Sequence, residues 1–356
     1  MRAIIRAGQN QSNPIHLILV YLGHKIPRYV FVNLKNLRRQ FPHQQIVLIV
    51  ERDSLINEST KRELNLKVYG YTKSEKLHDL ELSKHHDLGF RNGYWSHTIH
   101  RILAFLDYQI ENRLDCVLHI EADMTLMPDF PFEAIARTEG IVWGYYNEQR
   151  DVGALIFVPG IKDAEWLRDE IIKTWKEYPF FTDMQLLKEI SNSHQNQISY
   201  WPSGLSMASN ANARVNMSEL QLTSKRQVDV GGIIDVAAIG MWLCGIDPRN
   251  NRGKKIHFSD SFISNGDSWV DPSELKYIFH EKGKISIGEP FGEIPLYALH
   301  NHSKSEKYFG NSRVKYLARL YSDFLRSEVP ITRISPRTFL LLAWESILRR
   351  ISGRKF

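Results

Sequence analysis

The feature that most constrains the fold is an apolar run that ends in two acids. Residues 116–120 form the run, and Glu121 and Asp123 follow it with one residue between them. A short apolar run predicts a buried strand, and side chains two apart on a strand point to the same side. We therefore predict that both acids lie together at a strand end, where Asp123 faces solvent.

Two carboxylates on one side of a strand end suit a small divalent cation. Mg²⁺ and Mn²⁺ bind through one or two carboxylates together with substrate phosphates. In open α/β sheets, ligands gather at the carboxyl ends of the strands, whereas most acid-x-acid triplets elsewhere are solvated turns. The position after a buried strand therefore predicts that Asp123 and Glu121 bind Mn²⁺ or Mg²⁺ beside a nucleotide diphosphate.

Composition indicates a globular chain with one main domain and a C-terminal extension. The 356 residues are 43% hydrophobic and carry a net charge of +6, which favours phosphates or an anionic surface and gives little support for nucleic acid as a partner. Cys116 and Cys244 lie in apolar segments and favour a reducing compartment. With neither a secretory signal nor a long apolar span visible, we expect a cytoplasmic protein.

Alternating patterns along the chain predict an α/β sheet. Strands are predicted at 16–22, 46–50, 66–71, 140–146 and 152–158, and helices at 27–40, 94–110, 164–178 and 183–190. The first strand, helix and strand begin a parallel sheet, and the later strand pair predicts a hairpin. Region 191–227 lacks periodicity, so it is either a binding loop or a disordered insertion.

These features together resemble the GT-A glycosyltransferases, which are nucleotide-sugar enzymes with a Rossmann-like half and an acceptor half. The residues that carry the resemblance are 95–101, 119–123, 181–184, 235–240, 245–249 and 299–304. The resemblance implies an α/β fold, a GT-A (Rossmann-like) mixed sheet flanked by helices with a C-terminal helical extension. The resemblance divides the chain into a nucleotide-sugar half at 14–130, an acceptor half at 131–310 and an extension at 311–356. The commonest family motif has Asp at both ends, whereas this chain has Glu121 first.

The pair His300 and His302 is predicted to join the metal site. In a strand-like segment both imidazoles lie on one side, where either can supply a nitrogen ligand. Lys304 follows closely and can meet a phosphate. Such pairs are also common on protein surfaces, so this pair indicates a metal site only in combination with the acidic motif. The glycosylation sequon at 301–303 overlaps the site, which again favours the cytosol.

Asp183 and Asp235 are the candidate catalytic acids. Asp183 begins a predicted helix. Its carboxylate either stabilises the helix dipole, or binds the donor or acceptor sugar, or removes the proton of the acceptor. Asp235 follows two glycines among apolar residues, where an unpaired carboxylate is costly, so it needs a partner or a role. If the reaction is inverting, either acid could be the base.

A set of donor-binding residues is predicted from strand ends and helix faces. Tyr21, Glu51 and Asp53 end the first two strands, at positions that resemble the nucleoside pocket of this fold, although strand-end polarity alone also explains them. Arg101 lies opposite the apolar stripe of its helix and is either a donor contact or a solvated arginine. Glu121 and Lys304 complete the predicted set.

The resemblance implies a hexosyl- or pentosyltransferase that moves a sugar from a nucleotide-diphosphate sugar to a glycan or lipid-linked acceptor, as in polysaccharide biosynthesis. One alternative is a nucleotidyltransferase of similar fold, which the single glycine in 21–25 disfavours. Another is a non-catalytic protein that binds membrane surfaces. The basic apolar tail at 336–356 predicts an amphipathic helix that either binds an anionic membrane peripherally or packs on protein, including a second copy.

Overall fold

The structure is a computed structural model, and it describes residues 14–72, 94–203, 217–244, 272, 275–280, 284–289, 292–304 and 306. The predicted extension at 311–356 lies outside these residues, and so does the segment 247–255, for which the turn-rich basic sequence predicts a loop. Within them, no helix combines the length and the apolar character that crossing a membrane requires.

Twelve strands are described, and they form two sheets. In chain order they are β1 His16–Tyr21, β2 Gln45–Val50, β3 Leu66–Gly70, β4 Val117–Ile120, β5 Met124–Leu126, β6 Ile141–Asn147, β7 Arg150–Val158, β8 Ile198–Tyr200, β9 Ile233–Ile234, β10 Lys276–Phe279, β11 Ile285–Glu289 and β12 Gly292–His300. The central sheet has the order β3-β2-β1-β4-β7-β6-β8, and the second has the order β10-β11-β12-β5 with β9 beside β12.

The central sheet is mixed. Strands β1, β2, β3 and β4 run parallel, β7 is antiparallel to both β4 and β6, and β8 is parallel to β6. The predicted parallel half and the predicted hairpin are therefore both present. Because β1, β2 and β4 are parallel neighbours, their carboxyl ends meet at one edge of the sheet.

Helices cover both faces of the central sheet. The described helices are α1 Arg28–Gln40, α2 Glu58–Glu63, α3 Tyr94–Glu111, α4 Phe132–Ala136, α5 Ile161–Glu177, α6 Asp183–Ser193, α7 Met217–Ser224 and α8 Ala238–Cys244. Side chains of β1 alternate between two apolar layers, with Ile18 and Val20 in the layer that contains α3, α5 and α6, and Leu17 and Leu19 in the layer that contains α1. Each fully buried aliphatic side chain stabilises the fold by about 1.5–3 kcal/mol. This α/β arrangement confirms the predicted fold class.

The described part of region 191–227 contains regular elements that its sequence pattern did not predict. It contains β8 and α7, while 204–216 lies outside the described residues. Strand β8 has 3 residues and α7 has 8, lengths at which periodicity is too brief to recognise. The neighbouring strand β6 gives β8 its pairing, so tertiary context decides this assignment.

Candidate functional site

The two acids lie in a tight turn between the sheets. Strand β4 ends at Ile120, and the chain turns through Glu121 and Asp123 before β5 begins. The prediction that both acids lie together at a strand end is confirmed, because their side chains converge directly after β4. Asp123 is 4% exposed, so the prediction that it faces solvent is wrong. Pairing of β5 with β12 covers this turn from the second sheet.

Asn33 of α1 fixes the acid turn from the opposite side. Its buried amide Nδ2 donates hydrogen bonds of 3.0 Å to the carbonyl of Ala122 and 2.8 Å to the carbonyl of Met124. These carbonyls flank Asp123 on either side, so one amide holds the backbone around the carboxylate. Sequence reasoning missed Asn33, because a single polar residue in an amphipathic helix carries no signal of this contact.

Three side chains in this turn and on β12 could bind one metal ion. Glu121, Asp123 and His300 each offer a ligand atom, and these atoms lie within 4.8 Å of one another. His300 ends β12, where its Nε2 is 3.4 Å from Glu121 Oε2 and 3.4 Å from Asp123 Oδ1. Two carboxylate oxygens and one imidazole nitrogen are ligands that suit Mn²⁺, and the oxygens also suit Mg²⁺. The donor set therefore fits the divalent cation that the sequence predicts.

Charges shift the pKa values of these groups strongly. Burial alone would lower the pKa of His300, but the carboxylates of Asp123 and Glu121 raise it to about 10. Burial alone would raise the pKa of Asp123, but the charges of Lys304 and His300 hold it well below its usual range. Glu121 likewise has a lowered pKa, because Arg101 and His300 outweigh the effect of burial. The metal-free site therefore holds ionised carboxylates around a protonated imidazole.

Lys304 contacts Asp123 from the turn that follows β12. Its Nζ is 2.8 Å from Asp123 Oδ2, and Asp123 also accepts a backbone hydrogen bond from Asn301. The backbone of Lys304 has a φ of 54°, in the left-handed region that non-glycine residues seldom adopt. His302 lies in the same turn, and its ring stacks on that of His300 with 3.8 Å between the ring centroids. It is not one of the three residues of the ligand cluster.

Arg101 joins the metal-ligand cluster to Asp183. Its Nη2 is 2.6 Å from Glu121 Oε1 and 3.6 Å from Asp183 Oδ2, and its side chain is only 16% exposed. The alternative of a solvated arginine is therefore wrong. Asp183 begins α6 after Thr182, which caps the helix through a capping box with Gln185. Burial raises the pKa of Asp183, and Arg101 opposes that shift.

Tyr94, which sequence reasoning did not select, also belongs to this region. It begins α3, and burial together with the charges of Glu121 and Asp183 raises its pKa to about 12. The phenol therefore stays neutral and can donate a hydrogen bond. Its sequence position could have indicated this role, because Tyr94 begins the predicted helix and lies 7 residues, or about two helical turns, before Arg101.

Asp235 lies beside His300, and its carboxylate is fully engaged with backbone amides. Its Oδ1 accepts hydrogen bonds of 3.0 Å from Ala237 and 3.0 Å from Ile239, and its Oδ2 accepts from Gly240 at 2.7 Å and from His300 at 3.0 Å. It is 2% exposed. Such a carboxylate has no lone pair directed at a substrate, so this geometry favours a positioning role over that of a base.

The predicted nucleoside residues lie along the same edge of the central sheet. Tyr21 ends β1, Glu51 follows β2, and Asp53 begins a short 3-10 turn. Glu51 pairs with His24 Nδ1 at 2.9 Å, and Asp53 lies 3.8 Å from the Lys61 ammonium. Since β1 lies between β2 and β4, these residues are lateral to the acid turn rather than within it.

No protein-family model and no curated protein matches this sequence. Matches to solved structures cover part of the chain. The glycosyltransferase PaToxG is 11% identical, with a TM-score of 0.31 over 49% of this chain and 65% of that one. Mouse xyloside xylosyltransferase 1 is 9% identical, with a TM-score of 0.36 over 52% of this chain and 84% of that one.

An active-site mutant of LgtC is 10% identical, with a TM-score of 0.35 over 60% of this chain and 85% of that one. A cytidylyltransferase from Leptospira borgpetersenii is also among the matches. Identities and TM-scores this low leave function to be argued from the geometry of the site. The mixed central sheet with helices on both faces agrees with the α/β fold class that the sequence predicts.

Proposed function

We propose that this chain is a metal-dependent glycosyltransferase that moves a sugar from a nucleotide-diphosphate sugar to a hydroxyl of a glycan or lipid-linked acceptor. The observation that carries the proposal is the convergence of Glu121, Asp123 and His300 within 4.8 Å at the carboxyl edge of the sheet. Mn²⁺ or Mg²⁺ held by these residues would supply positive charge against the leaving nucleoside diphosphate.

The donor half of the proposed site is cationic around the acids. Lys304 is the group best placed to meet a phosphate, because its ammonium already lies 2.8 Å from Asp123 Oδ2. Arg101 holds Glu121 at 2.6 Å and so fixes the direction of that carboxylate. Tyr21, Glu51 and Asp53 are proposed to bind the nucleoside, since β1 and β2 end beside β4.

Asp183 is the carboxylate that we assign to the acceptor side. It is buried at the start of α6, and Arg101 links it to Glu121. Because burial raises its pKa, Asp183 is more basic than an exposed aspartate and is suited to accept a hydroxyl proton. Asp235 is left with its four backbone donors and is not assigned this step.

The test is release of nucleoside diphosphate from a panel of nucleotide-diphosphate sugars, measured with Mn²⁺ and with a chelator. We expect release with at least one donor that requires the metal and falls by roughly 100-fold in Asp123→Asn. Asp169→Asn is the matched control, because Asp169 is an exposed residue of α5 paired with Arg168. Activity in the control should equal that of the wild type.

Two outcomes would contradict the proposal. Release of pyrophosphate from a nucleoside triphosphate and a sugar phosphate, without turnover of any nucleotide sugar, would identify a nucleotidyltransferase. Equal release by the wild type and Asp123→Asn, in the presence of Mn²⁺, would remove the cluster of Glu121, Asp123 and His300 from the reaction.

A further inference from the structure

The segment 235–240 holds His300 by both its backbone and its ring. Asp235 Oδ2 accepts the backbone N–H of His300 at 3.0 Å, and the carbonyl of Val236 is 2.8 Å from His300 Nδ1. Because a carbonyl can only accept, Nδ1 must carry a proton. This hydrogen bond directs Nε2 towards Glu121 and Asp123, each of which it approaches at 3.4 Å.

Two glycines allow this segment to come so close. A Cβ added at Gly240 would overlap the carbonyl oxygen of His300 and would lie 2.7 Å from Asp235 Oδ2. A Cβ added at Gly144 of β6 would overlap the side chain of Val236 and would lie 2.7 Å from its Cβ. The segment is therefore fixed between β6 and the end of β12.

The carboxylate of Asp235 also organises its own segment. Besides His300, it accepts hydrogen bonds from the backbone of Ala237, Ile239 and Gly240, so it caps the start of α8. A buried carboxylate would be costly without these donors. The four hydrogen bonds that it accepts join α8 to the last residue of β12.

We propose that Asp235 is a positioning residue that sets the orientation of His300 for metal binding, together with the carbonyl of Val236 and the close approach at Gly240. The proposal rests on the function proposed above only in taking Glu121, Asp123 and His300 as the metal ligands. It replaces the role of base that the sequence suggested for Asp235. Partners that orient a metal-binding histidine commonly affect metal affinity by about 10- to 100-fold.

The experiment measures the Kd of the full-length protein for Mn²⁺ alone, from the electron paramagnetic resonance signal of free Mn²⁺. Asp235→Asn keeps the size of the side chain but replaces one acceptor oxygen with an amide donor. We expect this variant to bind Mn²⁺ about 10- to 100-fold more weakly than the wild type. Asp229→Asn is the matched control, since Asp229 is exposed and accepts only the local N–H of Gly231 among its described bonds; its Kd should equal that of the wild type.

A double variant separates positioning of His300 from general damage. If Asp235 acts through His300, Asp235→Asn combined with His300→Ala binds Mn²⁺ no more weakly than His300→Ala alone. Wild-type affinity in Asp235→Asn, while His300→Ala loses affinity, would overturn the inference and leave the proposed metal site standing. Losses that add in full would also overturn it. Wild-type affinity in both His300→Ala and Asp123→Asn would overturn the metal site itself.

A measurement on the wild type covers the case in which Asp235→Asn does not fold. Nitrogen-15 NMR of histidine-labelled protein with Zn²⁺ reports which ring nitrogen of His300 binds the metal, and His300→Ala assigns the signal. We expect Nε2 to be bound to Zn²⁺ and Nδ1 to remain protonated. Zn²⁺ on Nδ1 would contradict the role of Val236 and Asp235.

Discussion

Charges of opposite sign alternate around the acid turn. The anionic members are Glu121, Asp123 and Asp183, and the cationic members are Arg101, His300 and Lys304. At the scale of single residues, the positive and negative side-chain charges of the cluster are thus equal in number without a bound metal ion. A divalent cation upsets that balance, so its binding must displace a proton or redirect a side chain, and both effects can be measured.

The pH dependence of stability should report the proton on His300. Its pKa is raised from 6.5 to about 10 in the folded protein, so the stabilisation is complete below pH 6.5 and is lost as pH rises towards 10. We expect the unfolding free-energy difference between the wild type and His300→Gln to shrink over that range, in denaturant titrations without metal. Mn²⁺ affinity should rise over the same range, because the metal needs the neutral ring.

The control for this experiment is His302→Gln, because His302 stacks on His300 but lies outside the ligand cluster. It should keep the pH dependence of the wild type. The same pH dependence in His300→Gln as in the wild type would show that His300 does not carry the proton.

Lys304 should oppose metal binding while favouring the nucleotide. Its ammonium lies 2.8 Å from Asp123 Oδ2 and competes with any cation for that oxygen. A charge-assisted hydrogen bond contributes about 1.5 kcal/mol, so Lys304→Met should bind Mn²⁺ alone roughly tenfold more tightly. The same variant should bind nucleoside diphosphate with Mn²⁺ more weakly, because one phosphate contact is lost. Calorimetric titration measures the affinity for Mn²⁺ alone and the affinity for nucleoside diphosphate with Mn²⁺. If Lys304→Met weakens both, Lys304 does not compete with the metal.

At the scale of elements, the sequence predicts what local patterns encode. Apolar runs identify β1, β2 and β4, and the stripe on α3 identifies that helix, because each signal lies within a few neighbouring residues. The acids Glu121 and Asp123 are found for the same reason. The contact of Asn33 with the acid turn and that of Asp235 with His300 are not found, since each joins segments distant in the chain through backbone groups that have no sequence signature.

The attachment of α1 to the acid turn gives an element-scale prediction. Asn33→Ala leaves two buried carbonyls, of Ala122 and Met124, without their donor. We expect a loss of about 2 kcal/mol in unfolding free energy, together with weaker Mn²⁺ binding, because the backbone around Asp123 is released. Chemical denaturation and Mn²⁺ titration measure the two effects.

Asn36→Ala serves as the comparison on the same helix. Asn36 is also buried, but its Oδ1 accepts hydrogen bonds from Arg39 and Gln40 within α1. This variant should lose some stability and keep the Mn²⁺ affinity of the wild type. Equal Mn²⁺ affinities in the two variants would show that α1 supports the fold without tuning the site.

For the whole molecule, the site depends on the joining of two sheets. The central sheet supplies the acid turn, and the second sheet supplies His300 through the pairing of β12 with β5, in which His300 lies opposite Met124. The excess of 46 basic over 40 acidic residues is modest across the chain, yet the segment 336–356 concentrates both basic and apolar side chains. That segment lies outside the described residues, so its role is a prediction from sequence alone.

The tail is predicted either to bind an anionic membrane surface, which would suit an enzyme that extends a lipid-linked glycan, or to pack on protein, including a second copy of the chain. Apolar residues such as Phe339 and Ile347 alternate at helical spacing with Arg349, Arg350 and other basic residues. Each basic residue near an anionic surface contributes about 1 kcal/mol, so if the tail binds membranes, the full chain should co-sediment with anionic vesicles and be released at high salt. Arg349→Glu combined with Arg350→Glu, and a chain ending at Ser335, should both lose binding, while neutral vesicles should bind none of the proteins. If the full chain does not bind anionic vesicles, and truncation of the tail changes the oligomeric state measured by sedimentation in solution, the tail packs on protein. Its apolar face would then lie against a second copy of the chain.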